Sequence, residues 1–289
     1  LAVIQGFRHE IRSDLRGFAA DIVLVDMAAL GHQEGIPIKA KEAFVQRVAE
    51  IQGVEHIAEY ATIGGMAKCG DNVCGLQLKG IGVDYDLDWW QSKVVAGALP
   101  DVADRERHKG LLLSQSTARE LGVTIDDKVE VLFMDGNDRP RRDRFKVVGL
   151  YHTGFEELDK VTAVADIRNV QRLASWSRKE ISGYDIMLSK GADAEDISRL
   201  IDAYIFEEYD AGDDDMASMA TSTLPGRYPV MFDWLKAHDV NAVVIIVIMM
   251  VVLLFNMSSA MLIMVLDRTG MIGLLKAQGM RNSAVRKIF

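Results

Sequence analysis

The strongest constraint on how this chain folds is an apolar run at residues 243–266 that contains no charged side chain. About 20 residues are enough for a helix to cross the hydrocarbon core of a bilayer. A buried helix of a water-soluble protein would be shorter and would carry a polar stripe. We therefore predict a transmembrane helix over residues 231–266, counting its extension on the N-terminal side.

Polar side chains inside this run are Asn256, Ser258 and Ser259. Polar groups in lipid usually form hydrogen bonds to another helix. The two serines could instead bond to their own backbone one turn back, and both interpretations stay open for them. Asn256 is harder to satisfy alone, which predicts that the helix packs against companion helices.

Charge is distributed unevenly around the apolar run. The formal net charge is −9, but residues 267–289 contain five Lys or Arg against one Asp, which leaves −13 for residues 1–266. Basic segments next to a membrane helix lie on the cytoplasmic side, so we predict that the acidic part is periplasmic. Such an acidic domain lacks the clustered cations that nucleic acid binding requires.

Residues 1–20 carry apolar side chains at three- and four-residue spacing, which predicts an amphipathic helix. These side chains are Ile4, Phe7, Ile11, Leu15 and Phe18. The helix could continue an earlier transmembrane helix or lie on the surface of the domain, and the periodicity supports both equally. Since the chain starts at Leu1, we expect a piece of a longer polypeptide.

Residues 21–230 mix strands with helices, which indicates an α+β domain. Apolar patterns predict strands at 21–26, 54–63, 65–69, 74–82, 111–113, 129–134, 145–151, 161–165 and 184–188. Capping residues and glycine stops predict helices at 40–52, 114–121, 166–173 and 194–206. A polar hairpin, Asp135 to Arg144, joins two of the strands.

Cys69 and Cys74 flank a predicted turn at residues 70–72. Antiparallel strands could bring the two thiols close enough to bridge, and the outer compartment is oxidising. A disulfide and two free thiols are equal alternatives at this point. A metal site would need more ligands than these two.

We find no catalytic motif in this sequence. It lacks the phosphate-binding loop of P-loop ATPases and the zinc-protease and serine-hydrolase signatures. Residues 213–215 are acidic without the alternation of a calcium loop, which favours a solvated loop. Trp89 and Trp90 could form a docking patch, but burial of one and partial exposure of the other is the favoured interpretation. We predict that the chain is not an enzyme and binds no metal.

The segment after the apolar run combines apolar residues with cations. Gly273 and Gly279 permit close approach or a sharp turn. An amphipathic helix lying on the inner leaflet would have the same composition, so that alternative stays open.

A family pattern runs through the same segment. It consists of Arg268-Thr269, Ile272-Gly273 and Leu275-Lys276-Ala277 with Gly279, directly after a helix that contains Phe255-Asn256. This pattern resembles the permeases of the FtsX/MacB-like group and, within it, the lipoprotein-releasing (LolC/LolE-type) permeases. Weaker similarities at residues 6–7, 15–18, 110–123 and 145–149 extend the resemblance along the chain.

The resemblance implies a permease of the bacterial inner membrane with four membrane helices and a MacB-like periplasmic core. It implies a second permease subunit, the same or homologous, and a separate ABC ATPase subunit that binds ATP, so that this chain itself holds no cofactor. The substrate would be a lipoprotein, which is extracted mechanically and passed to a periplasmic carrier.

The resemblance also assigns roles to residues. Coupling to the ATPase would fall to residues 267–289, through Arg268, Thr269, Met271, Ile272, Gly273, Leu275, Lys276 and Gly279. Packing against other membrane helices would fall to Phe255, Asn256 and Ser259.

Two features depart from the family pattern. Gln278 stands where many members have Leu. The Asp135 to Arg144 hairpin is short and charged, whereas some members carry a longer hairpin that grips the carrier, so carrier binding there stays open. The alternatives are an efflux or cell-division-type permease and, from another class, a membrane-anchored periplasmic sensor or binding module.

Overall fold

The structure, a computed structural model, describes residues 14–30, 35–103, 108–134, 139–281 and 283–284, and the backbone alone of residues 234–242. The described chain divides into two units, an outer domain that ends at Pro229 and a helical unit that begins at Val230. Residues 14–19 form helix α1, whose Leu15 and Phe18 are buried. The rest of the predicted N-terminal helix, with Ile4, Phe7 and Ile11, lies outside the described residues.

The outer domain mixes strands and helices, which confirms the α+β class. Its strands are β1 (Ile22–Asp26), β2 (Ile38–Lys39), β3 (Val54–Cys69), β4 (Asn72–Ile81), β5 (Val94–Gly97), β6 (Gly110–Ser114), β7 (Lys128–Met134), β8 (Pro140–Tyr151), β9 (Thr162–Asp166), β10 (Glu180–Ile181), β11 (Gly183–Leu188) and β12 (Met219–Thr223). Its remaining helices are α2 (Glu42–Ala49), α3 (Leu87–Lys93), α4 (Gln115–Leu121), α5 (Glu156–Asp159), α6 (Ile167–Leu173), α7 (Ala194–Asp210) and α8 (Leu224–Arg227).

Most of the strands belong to one mixed sheet with the order β12-β1-β11-β3-β4-β9-β6-β8-β5, and β7 pairs with both β3 and β8. The pairs β4–β9 and β6–β8 are parallel, and the other pairs are antiparallel. Strand β10 pairs separately with β2. The first and last strands of the domain are neighbours, with Ile22 opposite Thr223.

Two hydrophobic cores lie on this sheet. One is built by β3, β4 and β6–β9 under α4 and α6, around Leu78, Phe133 and Phe145. The other is built by β1 and β11 with α2 and α7, around Leu24 and Ile201. Burying apolar side chains in this way is the main favourable term in folding.

Local signals in the sequence set several helix ends. Ser114 accepts a hydrogen bond from the Thr117 amide at the start of α4, and Gly122 ends that helix in the left-handed region at φ 67°. Asp166 caps α6 in the same way as Ser114 caps α4. These capping predictions are confirmed, because a side-chain acceptor and a residue that tolerates positive φ satisfy the free ends of a helix.

Three predictions of local structure need correction. The two extended segments at 54–63 and 65–69 form one continuous strand, β3. The helix α3 at the two tryptophans was not predicted. The second half of the polar hairpin, residues 140–144, is strand, because β8 already begins at Pro140 and pairs with β7. Its charged residues, Arg141 to Arg144, precede the alternating pattern of core residues that begins at Phe145, and none of them is buried.

Candidate functional site

Helix α9 (Pro229–Asp267) contains the predicted membrane span. Its part from Val243 to Asp267 is 25 residues long, has a mean hydropathy of 2.6 and has no buried side chains within this chain. At about 1.5 Å per residue this length exceeds the ~30 Å of a bilayer core. A helix that is apolar on all sides needs lipid or other helices around it.

The three predicted packing residues lie close together on α9. Asn256 and Ser259 are three positions apart and Phe255 and Ser259 are four apart, so they occupy neighbouring faces one turn apart. All three are exposed in this chain, and Phe255 is 71% exposed. In the described part of the chain no hydrogen bond reaches the Asn256 amide, and its packing against another helix stays a prediction.

The chain breaks its helix at Arg268 and starts α10 (Thr269–Ala277). The Thr269 hydroxyl donates a hydrogen bond of 2.8 Å to the Leu266 carbonyl, which would otherwise be left free at the end of α9. At the other end, Gly279 adopts φ 87° and the Met280 amide bonds to the Leu275 carbonyl. A left-handed glycine after a helix is a common way to end it.

Helix α10 exposes most of its apolar surface. Leu274 and Met271 are 63% and 42% exposed, and Ile272 and Leu275 are half-buried. Lys276 and Gly273 are exposed, and a Cβ added to Gly273 would meet no atom of this chain within 4 Å. The predicted coupling residues thus gather on one short helix whose surface is free to contact a partner or the bilayer.

A buried ion pair lies in the middle of the outer domain. Lys79 on β4 and Asp185 on β11 are 2.7 Å apart, and the Tyr85 hydroxyl donates to the same carboxylate oxygen at 2.6 Å. Burial and the Asp185 charge raise the pKa of Tyr85 well above its usual value. The sequence analysis missed this pair, because the two residues are 106 positions apart and lie in ordinary strand patterns.

The two tryptophans belong to an aromatic cluster that holds α1. Trp90 is fully buried and Trp89 is half-buried, as predicted. The Trp90 ring lies 5.8 Å from Phe18 of α1, 5.0 Å from Trp89 and 5.4 Å from Tyr151. A Cβ on Gly17 would overlap the Trp89 indole, so α1 approaches α3 as closely as glycine permits.

Both cysteines are free thiols in the structure, which differs from the bridged alternative. The register explains this, because Cys69 pairs with Asn72 and Cys74 pairs with Ala67. The two cysteines are therefore diagonal neighbours across the hairpin, a relation with a Cα separation of about 7–8 Å. A disulfide bond rarely spans more than about 7 Å between Cα atoms.

We expect Cys74 to react with a thiol reagent only slowly at pH 8 and faster as the pH rises. Burial raises its pKa to about 11, so only about one thiol in a thousand is the reactive thiolate at pH 8. The measurement is the labelling rate with dithionitrobenzoate in a Cys69→Ser variant, with Cys74→Ser as the control. Unreduced protein that has no titratable thiol after unfolding would instead reveal a disulfide.

The β7–β8 hairpin presents its cations on β8. Arg142 lies 3.8 Å from Glu130, and Asp143 receives both Lys109 at 2.5 Å and Arg172 at 2.6 Å. The Asp143 carboxylate has a lowered pKa, since the Lys109 and Arg144 hydrogen bonds outweigh the effect of burial. The tip of the hairpin, residues 135–138, lies outside the described residues.

The predicted acidic loop at residues 213–215 is a short 3-10 turn with ion pairs. Lys41 pairs with Asp213 and Lys39 lies 3.0 Å from Asp215. These two lysines lower the pKa of Asp215, mainly through the Lys39 hydrogen bond. The carboxylates are therefore tied to the domain by side-chain cations.

Comparison with known proteins gives relatives along the whole chain. LolC, the lipoprotein-releasing system transmembrane protein of Neisseria meningitidis serogroup B, is 24% identical over 296 residues, which cover 100% of this chain and 67% of LolC. The protein of the same name from Xylella fastidiosa is 22% identical over 303 residues, which cover 100% of this chain and 66% of that protein. The chain thus spans about two thirds of the length of these relatives.

Solved structures with some similarity are outer domains of transporters. The extracellular domain of the noncanonic ABC-type transporter YknZ from Gram-positive bacteria has a TM-score of 0.45 at 14% identity, covering 70% of this chain and 99% of that one. The periplasmic region of MacB from Actinobacillus actinomycetemcomitans has a TM-score of 0.48 at 13% identity, covering 75% and 95%.

A family model gives the assignment. The model described as the MacB-like periplasmic core domain matches residues 1–204, which is most of the outer domain. The match covers well over half of the chain. The chain belongs to the family of membrane proteins with a MacB-like periplasmic core domain.

Proposed function

We propose that this chain is part of an ABC transporter permease that releases lipoproteins from the inner membrane, driven by ATP hydrolysis on a separate subunit. The observation that carries the proposal is the similarity to two LolC proteins over the whole chain, including the segment after the span. In that segment, the exposed helix α10 offers the ATPase an apolar surface with one cation, Lys276.

In the proposed mechanism this chain does no chemistry. The ATPase moves α10, and α9 carries the motion because it is one continuous helix from Pro229 to Asp267. A second permease subunit covers the face with Phe255, Asn256 and Ser259, where the amide finds its hydrogen-bond partner. The outer domain then acts on a lipoprotein and passes it to a periplasmic carrier.

We expect Gly273→Leu to lower lipoprotein release by roughly tenfold or more, because overpacking an interface by a few methylenes costs ~1–3 kcal/mol. The new side chain meets nothing within this chain, so a loss would reflect contact with a partner. The measurement is release of a lipoprotein from proteoliposomes with the full-length permease and its ATPase.

Gly75→Leu is the matched control, since a Cβ at this exposed outer-domain position also meets no atom within 4 Å. Normal release by Gly273→Leu would refute the coupling role of α10. A full-length protein that copurifies with no ATPase would refute the permease itself and favour the sensor class. ATP-driven export of another substrate without lipoprotein release would favour the efflux-type permease, which the family model also accommodates.

A further inference from the structure

The outer domain contains a cavity of about 560 Å³ on the face of the sheet away from α2 and α7. This volume lies within the ~300–1,000 Å³ range of small-molecule sites in proteins. Its lining comes from strands β1, β3, β4, β9, β11 and β12 and from the chain around α1 and α8, all within the outer domain. No role is assigned to it by the proposed transport function.

The net charge of the side chains that line this cavity is opposite in sign to the net charge of the domain. The charged residues that line it are Lys79, Arg227 and Asp185, two cations and one carboxylate. Asp185 forms an ion pair with Lys79 at 2.7 Å, so these two charges offset each other. Arg227 therefore gives the cavity one excess positive charge, although residues 1–266 have a net charge of −13.

Arg227 has no carboxylate partner among the described residues. Its guanidinium donates to the backbone carbonyls of Ala19 and Ala20, the latter at 2.8 Å. Its Nε is buried and has no acceptor among the described residues. A half-buried cation that is balanced by carbonyl dipoles and by the face of the Tyr228 ring, 5.9 Å away, favours the arrival of an anion.

Part of the remaining wall of the cavity is apolar. Phe18, Val23, Val25, Leu158 and Val161 line it. Polar side chains form the rest of the wall, and they are Tyr60, Thr62, Gln77, Thr162, Ser182, Ser222 and Tyr228. A ligand with a single anionic group and a short apolar body can contact both the Arg227 charge and the apolar part of this wall.

We propose that this cavity binds an amphiphilic monoanion, such as a medium-chain carboxylate, with its anionic group at Arg227 and its apolar body against Val23 and Val25. Arg227 donates charge-assisted hydrogen bonds to the anion, which are roughly twice as strong as neutral ones. The apolar wall contributes by removing the body of the ligand from water.

The test is calorimetric titration of the chain in lipid nanodiscs, with empty nanodiscs subtracted for partitioning into lipid. The probes are octanoate, octanol and acetate, which present both groups, the apolar body alone and the anionic group alone. We expect binding of octanoate that is at least about tenfold tighter than binding of either of the other probes, since only octanoate uses both surfaces.

Two variants locate the site. Arg227→Gln should weaken octanoate binding by about tenfold or more, while Arg119→Gln, the same loss of charge at an exposed position on α4, should not. Because Arg227 also ties Ala19 and Ala20, Ser222→Leu provides a second variant that narrows the cavity without touching a charge. Gly75→Leu is its control outside the cavity.

Four results would overturn the proposal. They are no heat of octanoate binding above empty nanodiscs, equal binding of octanol, unchanged affinity in folded Arg227→Gln, and unchanged affinity in Ser222→Leu. This measurement does not involve lipoprotein release. If octanoate does not bind, the transport proposal is unaffected, and if lipoprotein release fails, the binding proposal is unaffected.

Discussion

Asp185→Asn should lower the free energy of unfolding of the outer domain by about 3–5 kcal/mol, the usual cost of removing one partner of a buried ion pair. Lys79 is 8% exposed and Asp185 is 2% exposed, so water at the cavity that they line can replace the lost carboxylate only in part. The new amide keeps one acceptor oxygen but carries no charge, so the Lys79 ammonium would be left with neutral acceptors, this oxygen and the Phe18 carbonyl at 3.4 Å. The measurement is urea unfolding followed by near-ultraviolet circular dichroism.

Asp196→Asn is the matched control. Asp196 pairs with Arg199 on the exposed face of α7, with both side chains more than half exposed. An exposed pair of this kind contributes less than about 0.5 kcal/mol. Replacing both partners of the buried pair, Lys79→Met with Asp185→Leu, should recover most of the loss. If Asp185→Asn unfolds at the same urea concentration as the parent, the pair is not desolvated as described.

Trp90→Ala should also lower the free energy of unfolding of the outer domain by about 3–5 kcal/mol, the usual cost of removing a fully buried aromatic side chain. Trp90 contacts the Phe18, Trp89 and Tyr151 rings, so its removal also loosens α1. Thermal unfolding of the parent and the variant gives the difference. The control is Phe206→Ala on α7, because Phe206 is 68% exposed and should change stability by less than about 0.5 kcal/mol.

A milder replacement separates packing from hydrogen bonding at this site. The Trp90 Nε1 is buried and no described residue accepts its hydrogen bond. Phenylalanine keeps an aromatic ring and removes that unsatisfied donor, so Trp90→Phe should cost far less than Trp90→Ala. Equal losses in the two variants would show that a phenyl ring does not replace the packing of the larger indole.

Local features of the sequence predicted local features of the structure. The apolar run, the Ser114 cap and the Gly122 stop act through neighbouring residues, and each has the predicted place in the structure. The α+β class followed from the same local patterns. Helix α3 was missed, although Asp86 caps it in the way that Asp166 caps the equally short α6.

Long-range features could not be predicted in this way. The Lys79–Asp185 pair joins two strands that are not consecutive, so it depends on the strand order β11-β3-β4. Arg227 meets Ala19 and Ala20 across 207 or more residues of sequence. The cysteines looked close on the basis of their spacing, and only the register showed that they are diagonal. The coupling role of residues 268–279 stays a prediction that rests on family resemblance.

The pairing of β1 with β12 places the two chain ends of the outer domain side by side. Ile22 lies opposite Thr223, about 5 Å away at the Cα atoms as in any antiparallel pair. About 200 residues are thus inserted between two points that a short loop could join. The segments before and after need not change when this insertion grows, shrinks or is exchanged for another domain. A chimera that carries a foreign domain between residues 21 and 224 should therefore still insert its membrane helix.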